Sequence, residues 1–229
     1  MWYNFIGGDE MNTIDILKKT IKLIETNLER QDLNITFLSN KVFVSSFYLQ
    51  RMFYSIIGKT IGTYIRERRL TEAGTDIKNG EKVINGCGRW DKVENYDEWL
   101  KSLELNSNKE TVQPNYAPST TFFGVRERDK KIVGMIDIRH ELSTEFLRNY
   151  GGHIGYGVRP TERRKGYVTQ MLKQALEFSK NELGLNEVML SCDKENEGSR
   201  KTIVNVGGRL EREYIADDGE NVQIYWIKL

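Results

Sequence analysis

The spacing of apolar residues divides the chain into an N-terminal helical part and a C-terminal part in which strands and helices alternate. Apolar residues recur three and four positions apart from Thr13 onward, which is typical of an amphipathic helix with Asn12 as its N-cap. The same spacing predicts a short helix after Asn34, a third helix from Ser45 and a fourth over 61–77. The residues expected on the buried faces are Ile14, Leu17, Ile21, Ile24 and Leu28 in the first helix and Leu49, Met52, Phe53 and Ile56 in the third.

From residue 94 onward the apolar period changes repeatedly between about 3.6 residues and two residues. The predicted elements are a helix at 94–105 with Trp99, Leu100 and Leu103 as its apolar side, strands at 120–125, 132–138 and 154–158, a helix from Val168 to Leu183, a strand at 188–192, a helix at 196–206, and strands at 210–215 and 222–227. Residues 142–150 are expected to form a mobile loop. The run at 188–192 is typical of a central strand that parallel neighbours bury on both faces. The pattern therefore predicts an α+β protein.

The stretch 151–168 joins a strand to a helix through a short basic turn. Pro160 ends the strand, and the turn runs from Arg163 to Gly166. Free backbone N–H groups and the positive end of the helix dipole point into such a turn, so it predicts an anion site. Gly166 would let a phosphate approach the backbone where a Cβ would collide.

The residues Arg163-x-x-Gly166-x-Val168 resemble the R/Q-x-x-G-x-G/A loop of the GNAT N-acetyltransferases, which cradles the pyrophosphate of acetyl-coenzyme A. The order of predicted elements also matches that fold, and IRHEL, GGHIGY, CDKEN and YWIKL resemble an uncharacterised bacterial branch of predicted acetyltransferases. The resemblance implies a GNAT mixed-sheet acyltransferase domain that binds acetyl-coenzyme A. Val168 departs from the usual Gly or Ala, so we expect slightly looser cofactor contact. The implied cofactor-binding residues are Val158, Arg163, Arg164, Lys165, Gly166, Tyr167, Val168, Thr169, Asn196 and Ser199; helix capping explains Asn196 and Ser199 equally well.

Transfer of acetyl to an amine needs a base for the amine and an acid for the leaving thiolate. His140 and His153 lie in strands that flank the predicted cleft, and a neutral imidazole suits a general base. Either histidine is as readily explained as a hydrogen-bonded core residue, and Glu141 is a third candidate for the base. The two histidines have no third ligand, so we expect no zinc site.

The identity of the acid is open. Many GNAT members place a Tyr seven residues after the Asn, and that position here is Ile203. Cys192, Tyr225 or water are the alternatives. Loss of the Tyr also leaves open a domain that binds the cofactor without catalysis.

The first helices form two short segments joined by a tight turn, the pattern of a helix-turn-helix. The stretch FYLQRMFYSIIGKTIGTYIRERRL closely resembles the first helix-turn-helix of the AraC/XylS regulators and the linker helix after it. The resemblance implies DNA contacts at Ser46, Phe47, Gln50 and Arg51. A second helix-turn-helix, which that family carries, does not follow, and a helical bundle used only for docking is the alternative.

Composition adds little to these assignments. A formal net charge of +1 excludes a strongly basic or acidic chain, so no partner follows from bulk charge. Cys87 and Cys192 are far apart and are expected to be reduced thiols. No apolar run approaches the roughly 18 residues of a membrane span, and the N-terminus lacks the pattern of a secretory signal. We therefore expect a cytoplasmic protein without a membrane partner.

These observations predict a leader at 1–12, a helix-turn-helix segment at 13–84 and a GNAT domain at 85–229. The extra first strand of GNAT domains is not found, so the edge of the strand at 120–125 is expected to be free to pair with another chain in a homodimer. The expected function is transfer of acetyl from acetyl-coenzyme A to an amine acceptor. The competing interpretation is a transcription regulator whose GNAT domain only senses acetyl-coenzyme A or coenzyme A.

Overall fold

A computed structural model describes residues 13–78, 85–88 and 96–229. The predicted leader, the N-cap at Asn12, the boundary after Ile84 and the helix start at Glu94 lie outside these residues. The chain forms two compact units, Met1–Thr71 and Glu72–Leu229, and the predicted boundary between residues 84 and 85 stays a prediction.

The first unit is built from helices. They are α1 (Thr13–Glu25), α2 (Ile35–Val42), α3 (Ser46–Ile57) and α4 (Ile61–Lys78), which continues into the second unit. The Asn34 side chain accepts a hydrogen bond from the Phe37 N–H, and the Ser45 hydroxyl accepts one from the Tyr48 N–H. These N-caps satisfy backbone donors that a helix leaves free at its start, and Gly58 ends α3 in the left-handed conformation. The predicted helices are therefore confirmed.

Three apolar residues that were predicted to be buried are exposed. Ile14 is 59% exposed, because α1 turns Ile16, Leu17 and Ile24 inward instead. Ile56 near the end of α3 is 49% exposed.

The third exposed apolar residue, Leu100, lies in the second unit. It is 38% exposed although its neighbour Trp99 is buried. Each of these three residues belongs to the apolar stripe of its helix, but the side chain stays exposed while other residues in the stripe are buried.

The second unit contains two three-stranded sheets and three helices among the described residues. Its elements are α5 (Tyr96–Asn106), β1 (Ser119–Arg126), β2 (Lys131–Arg139), β3 (Ile154–Val158), α6 (Tyr167–Asn181), β4 (Glu187–Asp193), α7 (Glu197–Asn205), β5 (Arg209–Ile215) and β6 (Asn221–Lys228). The strand orders are β1-β2-β3 and β4-β6-β5, and every ladder is antiparallel. Strand β1 pairs with β2 alone among the described strands.

The two sheets meet where β3 begins. The His153 N–H donates to the Met189 carbonyl of β4 (2.7 Å), and no ladder joins β3 to β4 among the described strands. The prediction that β4 has parallel neighbours is therefore wrong, because β4 pairs with β6 in an antiparallel ladder. Its burial is as expected, because Val188 and Leu190 on one face and Met189 on the other are all buried.

The core of this unit lies between the sheets and α6. Leu172 and Ala175 of α6 pack with Ile138, Leu190 and other buried residues of the strands. The segment predicted as a mobile loop contains a π-helical turn, Leu147–Gly151, whose Leu147 is buried. Across the described residues, none of the helices is long and apolar enough to span a membrane.

Candidate functional site

A cavity of about 490 Å³ lies between the start of α6, the C-terminal half of β3 and α7. Helix α6 begins directly after Gly166, which adopts φ +80°. A Cβ built on Gly166 would meet no atom within 4 Å, so the backbone at this point faces open space. The N–H groups of the first turn of α6 have no carbonyl four residues earlier in the helix to receive them. The cavity wall therefore offers backbone donors and the positive end of a helix.

All the predicted cofactor residues except Lys165 line this cavity. They are Val158, Arg163, Arg164, Gly166, Tyr167, Val168, Thr169, Asn196 and Ser199. Lys201 adds a further cation, and Glu162 is the acidic residue of the lining. Positive side chains thus outnumber negative ones around the helix start.

Lys165 does not line the cavity, and its side chain binds a buried carboxylate. Its ammonium donates to Glu162 Oε2 at 2.9 Å, and Arg126 donates to the same oxygen at 2.7 Å. Burial alone would raise the pKa of Glu162, but these two hydrogen bonds outweigh burial and hold the pKa below its usual value. Arg126 also binds Asp129 and lowers the pKa of that carboxyl to about 2. The network ties the basic turn to the hairpin of β1 and β2.

Asn196 has the capping role that the sequence left open as an alternative. Its side-chain oxygen accepts a hydrogen bond from the Ser199 N–H (3.1 Å), which starts α7 at the cavity wall. The Ser199 hydroxyl in turn lies 2.7 Å from the Tyr156 hydroxyl.

The Tyr156 hydroxyl is a polar group of the cavity that sequence reasoning missed. Burial raises the pKa of Tyr156 to about 12, although the hydrogen bond with Ser199 opposes the shift. Burial also raises the pKa of Cys192 and of Tyr225, and the Tyr225 hydroxyl donates to Gln223 instead of reaching the cavity. The alternating strand pattern marked Tyr156 only as a core position.

His153 lies at the junction of the two sheets and is 6% exposed. Its Nδ1 accepts a hydrogen bond from the Met189 N–H at 3.0 Å, so the ring joins β3 to β4 through its side chain as well as its backbone. Burial, with a contribution from Arg139, lowers the pKa of His153 to about 4. These contacts favour a structural role, and its role as a general base stays a prediction.

His140 and Glu141 also lie away from the cavity lining. The His140 Nε2 is 2.8 Å from the Thr120 hydroxyl, and burial lowers the pKa of His140 while Asp137 and Glu141 oppose the shift. Glu141 forms an exposed ion pair with Lys109 at 2.8 Å. The structure therefore does not bring the three predicted bases together, and their catalytic roles stay predictions.

The predicted DNA-contacting residues are spread over the start of α3. Phe47 is 71% exposed, and the Arg51 guanidinium lies 5.6 Å from the centre of its ring. Gln50 is half-buried. Ser46 turns toward α2, where its hydroxyl lies 2.9 Å from that of Ser39. Arg51 and Phe47 are thus the most accessible of the four residues.

Comparison with known proteins decides the family. Residues 76–209, more than half of the chain, match the family described as acetyltransferase (GNAT) domain. The chain belongs to the GNAT acetyltransferase family. A solved structure from Vibrio cholerae, assigned as a ribosomal-protein-serine acetyltransferase, is similar to this GNAT chain with a TM-score of 0.51 at 18% identity, over 71% of this chain and 88% of that one. At that identity the likeness concerns the fold alone.

The N-terminal segment of the GNAT chain is homologous to AraC/XylS regulators. The regulatory protein SoxS of Salmonella typhimurium is 36% identical over 74 residues, which cover 32% of this chain and 68% of SoxS. The right origin-binding protein of Escherichia coli K12 is 20% identical over 171 residues, or 62% of this chain and 59% of that protein. The chain thus spans 49% to 68% of the length of such curated relatives.

The GNAT domain has a second cavity, of about 880 Å³, beside the first. Asn85 lines both cavities, and a Cβ on Gly86 would lie only 2.5 Å from the Tyr156 Cα, so the segment 85–88 lies directly against β3. The Trp99 indole of α5 holds this segment by donating to the Cys87 carbonyl at 2.9 Å. Ile203, at the position of the family's Tyr, is buried in the core and lines neither cavity.

Proposed function

We propose that the protein is an acetyl-coenzyme A-dependent N-acetyltransferase with an attached DNA-binding segment. The observation that carries this proposal is the 490 Å³ cavity at the start of α6, lined by the residues that the family resemblance assigned to the cofactor. When bound, acetyl-coenzyme A supplies an acetyl group activated as a thioester, and coenzyme A leaves as a thiol.

The residues present fit an anionic cofactor. The first-turn N–H groups of α6 and the open backbone at Gly166 suit a pyrophosphate, and Arg163, Arg164 and Lys201 supply positive charge. Val168 contributes an apolar wall and is half-buried against the core.

Tyr156 is the residue best suited to return a proton to the leaving thiolate. Its pKa of about 12 means that the hydroxyl holds its proton at neutral pH, and it lies within the cavity lining. The Ser199 hydroxyl lies 2.7 Å from the Tyr156 hydroxyl, so it can return a proton to Tyr156 after the transfer. The identity of the base that deprotonates the amine stays a prediction, and its candidates from the sequence are His140, Glu141 and His153.

The cofactor half of this proposal is tested by the variant Gly166→Glu. A carboxylate at the helix start repels a pyrophosphate, and we expect the dissociation constant for acetyl-coenzyme A to rise at least about a hundredfold in calorimetry. Gly219→Glu is the matched control, because Gly219 also has a positive φ and open space around its Cβ position but lies in the β5–β6 turn. If the folded Gly166→Glu variant and the wild-type protein bind acetyl-coenzyme A with equal affinity, the proposed cofactor site is wrong.

Turnover distinguishes an enzyme from a sensor. Release of coenzyme A that depends on an added amine supports the N-acetyltransferase. Tight binding of acetyl-coenzyme A with no amine-dependent release would instead favour the regulator that only senses the cofactor.

The attached segment is proposed to bind DNA through α3. Its likeness to SoxS and to the right origin-binding protein supports this role, as do the exposed Arg51 and Phe47. Both proposed activities use ligands of the cytoplasm, which is the proposed location of the protein.

A further inference from the structure

The second cavity contains a buried carboxylate that the proposed mechanism does not use. Asp137 of β2 is 6% exposed and lines this cavity. Its Oδ1 accepts a hydrogen bond from the Thr121 hydroxyl at 2.8 Å. Among the described residues Asp137 forms no ion pair, although an ionised carboxylate is costly to bury without a cationic partner. A cationic ligand in the cavity would compensate the charge of Asp137.

Arg139 places a separate positive charge in the same cavity. It lies two residues after Asp137 on β2, and therefore on the same face of the strand. Its guanidinium donates to the Gly152 carbonyl at 3.1 Å and to the Gly151 carbonyl at 3.5 Å, and both acceptors are neutral. Within the part of the chain that the structure describes, Arg139 pairs neither with Asp137 nor with another carboxylate. The two opposite charges are thus both available to a ligand.

The second cavity also adjoins the first. Asn85 borders both cavities, and Gly86 of the second lies against Tyr156 of the first. A ligand held in the second cavity is therefore separated from the proposed proton donor by the short segment 85–88.

We propose that the second cavity binds the acetyl acceptor and that this acceptor is a free α-amino acid. Its ammonium would bind Asp137 and its carboxylate would bind Arg139, which matches both charges of the cavity. A polyamine would satisfy Asp137 but bring further positive charge toward Arg139, so it fits less well. The inference rests on the proposed acetyl transfer and names the substrate class for it.

The first test is direct binding of amino acids by calorimetry to the full chain, with and without acetyl-coenzyme A. Each L-amino acid of the panel is compared with the amine that lacks only its carboxylate, such as phenylalanine with phenethylamine and lysine with cadaverine. Coenzyme A release is measured with the same compounds. We expect at least one amino acid to bind and to react at least about tenfold better than its matched amine.

Variants assign the two charges. Asp137→Asn keeps an acceptor for the Thr121 hydroxyl but removes the negative charge, so the dissociation constant of the amino acid should rise at least about tenfold. Arg139→Gln should remove the advantage of an amino acid over its matched amine and leave the amine unchanged. Arg139→Lys, which keeps the charge, should recover part of that advantage and serves where Arg139→Gln unfolds. Glu104→Gln is the control, because Glu104 of α5 is exposed and lies outside the cavity lining.

The outcomes separate this inference from the proposed function. Matched amines that bind and react as well as amino acids, or no amino acid bound at all, would overturn the inference while acetyl-coenzyme A binding still stands. Failure to bind acetyl-coenzyme A would instead overturn the proposed function, and amino-acid binding that depends on Asp137 would still support the cavity assignment. Loss of selectivity in Glu104→Gln equal to that in Arg139→Gln would also overturn the inference.

Discussion

At the scale of single residues, burial raises the pKa of the Tyr156 hydroxyl at the cavity beside α6. Tyr156 has a pKa of about 12, so replacing it with Phe should remove the proposed proton donor. We expect kcat to fall about a hundredfold while the dissociation constant of acetyl-coenzyme A changes little. Steady-state kinetics and calorimetry of the same preparation measure both quantities.

Tyr225→Phe provides the control for this variant. Tyr225 is also buried, but its hydroxyl donates to Gln223 and lines neither cavity. A Tyr156→Phe enzyme with wild-type kcat would exclude Tyr156 as the acid. A loss shared equally by both variants would point to packing.

His153 should make the stability of the protein depend on pH. Its pKa is about 4 in the folded state against 6.5 for an ordinary His, so the unfolded chain binds more protons between these values. Stability is therefore complete above pH 6.5 and falls as the pH drops toward 4. The loss over this window is about 2 to 3 kcal/mol, measured as the free energy of unfolding.

The variant His153→Asn should remove this dependence. An Asn side chain offers an oxygen to the Met189 N–H in place of Nδ1 and does not titrate. The curve of unfolding free energy against pH should become flatter between pH 4 and 6.5, and turnover at pH 7 should be kept. His140→Asn, at a half-buried position, should flatten it less. A large loss of turnover at pH 7 in folded His153→Asn would restore His153 as the base.

At the scale of elements, ion pairs join segments that are distant in sequence. Arg68 of α4 donates two hydrogen bonds, of 2.7 and 2.8 Å, to the Glu25 carboxylate of α1. The bond from Arg68 lowers the pKa of Glu25 despite partial burial. The Arg68 guanidinium is therefore used inside the first unit.

Arg68→Ala should therefore destabilise the first unit. We expect a loss of about 1 kcal/mol, because the pair is partly exposed to solvent, and faster hydrogen exchange in α1 and α4. The contribution is present at neutral pH and is lost as the pH falls through the lowered pKa of Glu25. Arg66→Ala is the control, since Arg66 is exposed, and it should weaken DNA binding without changing stability. The reverse pattern, with Arg68→Ala stable and defective in DNA binding, would show that the ion pair contributes little.

At the scale of the whole molecule, DNA recognition depends on how many helix-turn-helix segments act together. One α3 supplies few phosphate and base contacts, so a monomer should bind a specific site weakly and with strong salt dependence. A dimer would supply two recognition helices, and β1, which pairs with β2 alone among the described strands, offers an edge for it. Its half-sites should then lie about 10 base pairs apart, or a multiple of that.

Sizing of the full chain and selection from a random duplex pool test this prediction together. Arg51→Ala should relax the sequence preference of the selected sites, because its exposed guanidinium is suited to reading guanine. A clean monomer that enriches no sequence would mean that the first unit has no specific DNA site.

The sequence by itself determined the helices and strands and the basic turn before α6. These features depend on short-range patterns: the apolar period, the caps at Asn34 and Ser45, and a strand, basic turn and helix within the stretch 151–168. All the information for such features lies within a few residues of chain, so a single sequence is sufficient to predict them.

Only the tertiary structure decided which polar groups share a cavity and which are used in packing. Asp137 and Tyr156 look like ordinary strand residues in the sequence, and they acquire their roles from the segment 85–88 packed against β3. His153 was assigned to catalysis by residue type, but its partner Met189 lies 36 positions away. Burial and long-range contacts set the pKa and the accessibility of a side chain, and neither property follows from the neighbouring residues in sequence.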